Sequence, residues 1–250
     1  MSERRKVALI TGAARRIGAG IARRLHADGY DLALHYRSSA ADMDALRAEL
    51  NGIRAGSAIS LHADLADFDR LPELVGLAIR RFGRLDALIN NASAFYPTPL
   101  GSATAMQWDD LFASNARAPF FLAQAAAPHL RATRGGIVNL ADIHGERPLA
   151  NHGIYCMAKA ALLMLSKSLA VELAPDVQVN AIAPGAILWP DPANGQPAKD
   201  PEAQAALLAR TPLQRVGTAE EVAAAVSWLL QGAGYVTGQT LHLDGGRHLG

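Results

Sequence analysis

Tyr155 and Lys159 stand four residues apart, so on a helix their phenol and ammonium occupy neighbouring turns of one face. Such a pair is a candidate proton-delivery device, because a nearby cation favours phenolate and is expected to lower the tyrosine pKa toward the acid/base range. Asp142, thirteen residues upstream, adds a carboxyl group that the same chemistry can use. In isolation a Tyr-x-x-x-Lys spacing is a common coincidence of helical sequences. Behind a parallel strand of a nucleotide-binding sheet it becomes specific. Cys156, the only cysteine, follows Tyr155 directly, which excludes an internal disulfide and reads as packing.

A second constellation lies near the start of the chain. Residues 11–20 run Thr-Gly-Ala-Ala-Arg-Arg-Ile-Gly-Ala-Gly between an apolar strand-like stretch and a helix-like one. Small residues such as Gly12 and Gly18 let backbone approach a pyrophosphate, and the opening of a helix offers free N–H groups to it. Arg16, beside Arg15 and Ile17, stands where the common dinucleotide fingerprint has its middle glycine. The end of the second strand decides between the two nicotinamide dinucleotides, since an acidic residue there would accept bonds from a ribose diol and repel a 2′-phosphate. This chain offers His35, Tyr36, Arg37 and Ser38 instead. Arg37 and Ser38, with Arg15 near, can donate to a 2′-phosphate, so NADPH is the expected cofactor. Asp64, followed by Leu65 beyond the third strand, either accepts from an adenine amino group or caps the next helix.

The elements that must position these groups alternate along the chain. Strands are expected at 7–10, 32–36, 58–62, 85–90, 137–141, 177–182 and 240–243. Helices are expected at about 17–28, 41–50, 68–82, 108–130 and 153–173, the fourth continuous despite Pro119. Apolar strands separated by helix-length segments require a parallel sheet covered on both faces. The expected fold is therefore α/β, a Rossmann-like doubly wound sheet in a single domain, with ligands along the strand C-termini. Residues 186–201, rich in Pro, Gly and Asn, form the least regular stretch and are expected to be a substrate-covering loop or small lid.

The chain has 250 residues, half of them hydrophobic and 19% charged, with a formal net charge of +1. Neither a nucleic-acid protein nor an acidic tail fits that balance. The first residues lead into a strand rather than a signal-peptide apolar region, and later apolar runs are interrupted before they reach a membrane span. A soluble cytoplasmic protein is expected, with no metal centre.

From residue 6 to about 246 the pattern resembles the short-chain dehydrogenase/reductase family. The turn at 11–20, Asp64, Asn90-Asn91-Ala92, Asn115, the Tyr155/Lys159 pair and the stretch from Asn180 to Pro184-Gly185 carry the resemblance. It implies that Tyr155 donates a proton, that Lys159 binds nicotinamide ribose and tunes Tyr155, and that Asn115 completes the relay. The serine familiar upstream of the tyrosine is replaced by Asp142. That departure weakens assignment to ordinary alcohol or ketoacyl reductases.

A narrower resemblance is to pteridine reductases. It rests on Arg16, the run His35-Tyr36-Arg37-Ser38, residues 90–99 (Asn-Asn-Ala-Ser-Ala-Phe-Tyr-Pro-Thr-Pro), and the Asp142/Tyr155/Lys159 set. It implies that Arg16 faces pterin and phosphate, that Ser93 contacts cofactor or substrate, and that Phe95 stacks on a pterin ring opposite the nicotinamide. Without it, Phe95 reads as a core or lid aromatic. Leu188 and Trp189 offer apolar surface in the loop after Gly185, either for substrate or for ordinary packing. The implied reaction is reduction of a dihydropterin or dihydrofolate to its tetrahydro form, the alternative being a carbonyl or 3-oxoacyl thioester. A homotetramer is implied, in which Arg247 either reaches a neighbouring site or ends as a solvated tail.

Overall fold

The structure, a computed structural model, describes residues 5–189 and 200–250. Seven strands form one fully parallel sheet in the order β3-β2-β1-β4-β5-β6-β7. They are β1 (Val7–Ile10), β2 (Asp31–Tyr36), β3 (Ala58–His62), β4 (Ala87–Asn90), β5 (Gly136–Leu140), β6 (Gln178–Pro184) and β7 (Thr240–Leu243). Strand side chains alternate between faces, and β1 shows what that produces. Ala8 and Ile10 join a core layer with α1 (Arg16–Ala27), α2 (Ala40–Ile53) and α8 (Ala219–Gln231), while Val7 and Leu9 join the opposite layer. That second layer holds α3 (Leu71–Phe82), α5 (Ala118–Thr133) and α6 (Gly153–Glu172). Both faces are buried, which is why the strands read as continuous apolar runs.

The expected helix at 108–130 is broken into parts. α4 (Ala105–Phe112), capped by a reciprocal Thr104–Gln107 box, passes into a π turn at Ala113–Arg117, and α5 continues from Ala118. The break coincides with a buried polar residue, Asn115, and is the kind of wider turn that recurs at functional sites. Pro119 sits in the first turn of α5, where a missing N–H is tolerated.

Two helices lie in a region with no expected element, α7 (Pro201–Ala209) and α8. α8 opens on a capping box between Thr218 and Glu221 and packs along α1, where an alanine at Gly20 would press on Ala219. α6 also corrects the expectation about apolar runs. Its 20 residues are long and apolar enough to cross a bilayer, but half of the span is buried against the sheet layer it covers. Residues 190–199, most of the expected lid, lie outside the described residues.

The order of strands reverses direction between β1 and β4, the point where the crossovers leave a crevice beyond the strand ends. Gly12, Arg37, Asp64, Asn91 and Asp142 all lie just past the C-terminal ends of their strands, so one sheet edge gathers both constellations.

Candidate active site

The turn after β1 is built by close contacts and by borrowed hydrogen bonds. Gly12 has φ +62°, and a Cβ there would meet Ala92 Cα at 2.9 Å. Thr11 Oγ1 accepts from the backbone N–H groups of Asn91 and Ala92, at 2.9 and 3.0 Å. Asn91 Nδ2 donates to the carbonyls of Thr11 and Gly12, both at 2.9 Å. β1 and β4 are thereby clamped together at the crevice. Sequence reasoning made Thr11 part of a turn and missed this clamp, although a hydroxyl at the end of a buried strand was its signal.

A cleft of about 390 Å³ opens over this turn. Among its walls are Gly12, Arg15, Arg16, Ile17 and Gly18 from the turn, His35, Tyr36, Arg37 and Ser38 from the end of β2, and Asp64 and Leu65 from the end of β3. Asn91, Ala92 and Ser93 close it from β4, and Ala14, Ser39, Ala94 and Ser114 belong to it without having been expected. The donor set suits a phosphorylated dinucleotide. Three arginines and the opening of α1 face the cleft, and no acidic residue stands at the end of β2.

Arg16 adopts φ +51°, the left-handed region, as the first residue of α1. A side chain there costs about 1 kcal/mol relative to glycine, which explains why glycine is common at this place in the fingerprint. Arg16 Nη2 reaches the Ile187 carbonyl at 3.4 Å, so the guanidinium bridges the turn and the segment after β6. Arg15 donates to Ser39 Oγ at 2.5 Å and pairs with Asp42 at 3.4 Å.

His35 plays a different part from the one expected. Its ring is buried: Nδ1 accepts from Gly12 N–H at 3.2 Å, and Nε2 donates to the Ala63 carbonyl at 3.1 Å. Both nitrogens are used by the protein, so His35 fixes the turn as a neutral imidazole. Burial pushes its pKa down to about 4. Asp64 Oδ1 accepts from Ala66 N–H at 2.9 Å, a local turn in the loop before the next helix, whose N-cap is Asp67, and Asp64 still borders the cleft.

At the other end, Tyr155 O–H donates to Asp142 Oδ2 at 2.7 Å. Asp142 Oδ1 accepts from His144 N–H at 2.9 Å, capping the short 3-10 turn Ile143–Gly145 that follows β5. The phenol is buried, and burial first, then the Asp142 charge and its hydrogen bond, push the Tyr155 pKa far up, with the Ser93 hydroxyl opposing. The expectation that Lys159 would lower it is overturned. Lys159 Nζ is 5.7 Å from the Tyr155 ring centroid and spends a bond on the Leu140 carbonyl at 2.8 Å, so it does not offset burial and the carboxyl group. Lys159 is itself buried, and that burial brings its pKa down to about 8 against the opposing pull of Asp142.

Asn115 has no exposed surface, and its bonds go to groups other than Lys159. Asn115 Nδ2 donates to the Leu111 carbonyl at 2.9 Å, one turn earlier, and to the Ala94 carbonyl at 2.9 Å in the segment after β4. Its Oδ1 accepts from Ser93 Oγ at 2.7 Å. Asn115 therefore holds the segment after β4, and with it Ser93, against the catalytic helix.

Phe95 lies on the same irregular segment after β4. It is 56% exposed, its ring edge-on to Tyr155 at 4.8 Å and stacked on His152 at 4.7 Å with 13° between planes. His152, immediately before α6, was missed by sequence reasoning; an aromatic three residues before the tyrosine was the available signal. Pro184 ends β6, and Gly185 donates to the Leu243 carbonyl. Gly185 is packed so closely that a Cβ would meet that of Asp244 at 2.6 Å. Neither borders the cleft over the turn, nor do Leu188 and Trp189, and Leu188 packs against the core layer of α1 and α8.

Comparison with known proteins agrees with this geometry. The model of the family described as Enoyl-(Acyl carrier protein) reductase matches residues 12–248. Pteridine reductase 1 of Leishmania tarentolae is 39% identical, covering 97% of this chain and 96% of its own length. That alignment is longer than this chain, so the relative carries insertions. The 3-oxoacyl-[acyl-carrier-protein] reductase FabG of Staphylococcus aureus is 34% identical over 98% of both chains. 3beta-hydroxysteroid dehydrogenase 1 of Eggerthella lenta is 35% identical over 98% of this chain and 94% of its own.

Proposed function

We propose, from the premise that the chain belongs to the short-chain dehydrogenase/reductase family and is an oxidoreductase, that it reduces a dihydropterin or dihydrofolate with NADPH. The observation that carries this reading is one contact group: an exposed phenyl ring, Phe95, edge-on to a tyrosine whose hydroxyl is bonded to a carboxyl group, Asp142. A flat heterocycle needs an aromatic platform and a proton source beside a ring nitrogen, and both stand here within one residue's reach. The 39% relative named for a pteridine reductase supports the same substrate class.

The nicotinamide, when bound, supplies the hydride. The arginines at the turn and Arg37 would hold its phosphates, and Lys159 would bind the ribose that joins the ring. The proton is the protein's task. With Asp142 ionised, the Tyr155 proton is held toward the carboxylate and is unavailable. With Asp142 protonated, its O–H donates to the Tyr155 oxygen, and the phenol proton turns to the substrate nitrogen. One hydride on carbon and one proton on the adjacent nitrogen then complete reduction of a C=N bond. A transient phenolate would be refilled at once from the protonated Asp142.

The second reading is reduction of a carbonyl or 3-oxoacyl thioester, favoured by the 34% relative. It would leave Phe95 without a stacking partner and Asp142 in place of the serine expected for that chemistry. The reading includes a homotetramer, checked by light scattering. The deciding assay is NADPH oxidation with dihydrobiopterin, dihydrofolate and a carbonyl panel, with product detection and Tyr155→Phe as control. Tetrahydropterin formation that collapses in the variant supports the proposal; turnover of carbonyls alone refutes it.

A further inference from the structure

Among the described residues, two ion pairs tie α1 and the residue before it to α2, and they differ in strength. Arg23 meets Glu49 with two parallel bonds, at 2.8 and 2.7 Å, the fork geometry that makes such pairs firm. Arg15 meets Asp42 through a single approach of 3.4 Å, with both side chains close to half exposed. A pair of that kind is worth little in water, so Asp42 holds Arg15 loosely. The two arginines and the two carboxylates line one groove of about 300 Å³ between the helices. Of these four, Arg15 alone also lines the cofactor cleft.

The start of α2 shows what else holds this guanidinium. Ser39 is the N-cap of α2, a position where a serine ordinarily bonds a free N–H of the first turn. It makes no such bond, and its hydroxyl accepts from Arg15 Nη2 at 2.5 Å instead. Ser39 lines the cleft and Asp42 lines the groove, so Arg15 is held by a hydroxyl on the cleft side and by a carboxylate on the groove side. Arg37 and Ser38, at the end of β2, share the cleft with it. Asp42 also lies in the first turn of α2, where a carboxylate complements the helix dipole. That contribution acts on stability and not on the choice of dinucleotide.

We propose that Asp42 is a specificity-determining residue for the dinucleotide, the counter-ion that a 2′-phosphate must displace from Arg15. The inference rests on the NADPH reading above and deepens it. A phosphate monoester carries more charge than a carboxylate and offers more acceptor oxygens, so it takes the guanidinium over from Asp42. The uncharged ribose diol of NADH leaves the pair in place. Asp42 therefore works against NADPH alone, and Ser39, not Asp42, keeps the guanidinium at the cleft.

The test measures binding of NADPH and NADH to the full chain by cofactor fluorescence, for the natural protein, Asp42→Asn, Arg15→Gln and the double variant. Asp42→Asn is expected to tighten NADPH about three- to fivefold and to leave NADH unchanged. The gain should fade at about 1 M salt, which screens exposed charges. In the Arg15→Gln background the same substitution is expected to change nothing, because the effect passes through the guanidinium. An Asp42→Asn variant that weakens NADPH, shifts both dinucleotides equally, or keeps its gain without Arg15 overturns the proposal. A natural protein with no preference for NADPH refutes the cofactor reading, and the inference falls with it. A preference that Asp42→Asn leaves unchanged overturns the inference alone.

Discussion

Lys159→Met removes a charge that the fold holds against its own preference. The ammonium is buried, and its pKa falls from the ordinary 10.5 to about 8. At 1.36 kcal/mol per pH unit, that displacement corresponds to about 3 kcal/mol of destabilisation at neutral pH. Methionine fills similar volume without the charge, but it abandons the hydrogen bond to the Leu140 carbonyl, leaving a buried acceptor unsatisfied at roughly 1–3 kcal/mol. The net expectation at pH 7 is a variant about as stable as the natural protein, or up to about 2 kcal/mol more stable, and inactive.

The pH dependence isolates the charge from the hydrogen bond. Between pH 8 and 10.5 the unfolded state keeps its lysine proton while the folded state has lost it, so the stability of the natural protein rises with pH across that window. The variant lacks this rise. Urea unfolding of both proteins, free of cofactor, at pH 7, 9 and 10.5 gives the difference in which other titrating groups cancel. The stability of the natural protein relative to the variant should improve by about 2–3 kcal/mol across the window. A difference that stays flat, or moves the other way, would refute the account of Lys159 as a desolvated cation. A member of such a site that weakens the fold while serving the reaction illustrates the opposition of stability and activity.

Asp142→Asn should lower kcat for the pterin by removing the carboxyl bonded to the Tyr155 hydroxyl; initial rates unchanged from the natural enzyme contradict the relay. Arg16→Gly should stabilise the chain by up to about 1 kcal/mol by relieving the left-handed backbone, while raising KM for substrate or cofactor, as thermal unfolding and initial rates would show. Arg37→Asp should turn the preference from NADPH to NADH, read as the ratio of kcat/KM for the two; an unchanged ratio places the 2′-phosphate elsewhere. His35 has a folded pKa of about 4 against an unfolded value near 6.5, so stability present above pH 6.5 should be lost as pH falls toward 4. Cofactor binding should weaken with it, because protonating Nδ1 breaks the bond to Gly12 N–H; titration of NADPH fluorescence across that range checks this.

The sheet was legible because its rule is simple. Both faces are covered, so β1, β4 and β5 are mostly apolar runs, interrupted only by Asn90 and Asn139, and the sequence boundaries fall within two residues of the strands. The helices α7 and α8 were not legible by the same means. α8 reads Ala-Glu-Glu-Val-Ala-Ala-Ala-Val, where small residues blur the apolar stripe, and its clearest mark was the Thr218–Glu221 capping box. At the site, Tyr155, Asp142 and the Gly12 turn could be found from spacing. What spacing could not give was the sign of the effect on Tyr155, since that depends first on how deeply the phenol is buried and then on the carboxyl group bonded to it at 2.7 Å, neither of which a four-residue spacing fixes.

The departures from regular local structure fall together. Arg16 occupies a left-handed backbone position, the helix carrying Asn115 widens into a π turn, His35 is buried with both ring nitrogens committed, and Lys159 is a buried cation. Each costs something that ordinary packing would avoid, and each lies within the crevice at the strand ends. Asn115 shows how they depend on one another. Its side chain bonds the Leu111 carbonyl on its own helix, and the same amide fixes Ala94 and Ser93 beside the phenol. Local rules fail where a chain must present groups in positions that local energetics disfavour. The failures of helix continuity at 113–117 and of glycine at position 16 were thus as informative about the site as the Tyr155–Lys159 spacing itself.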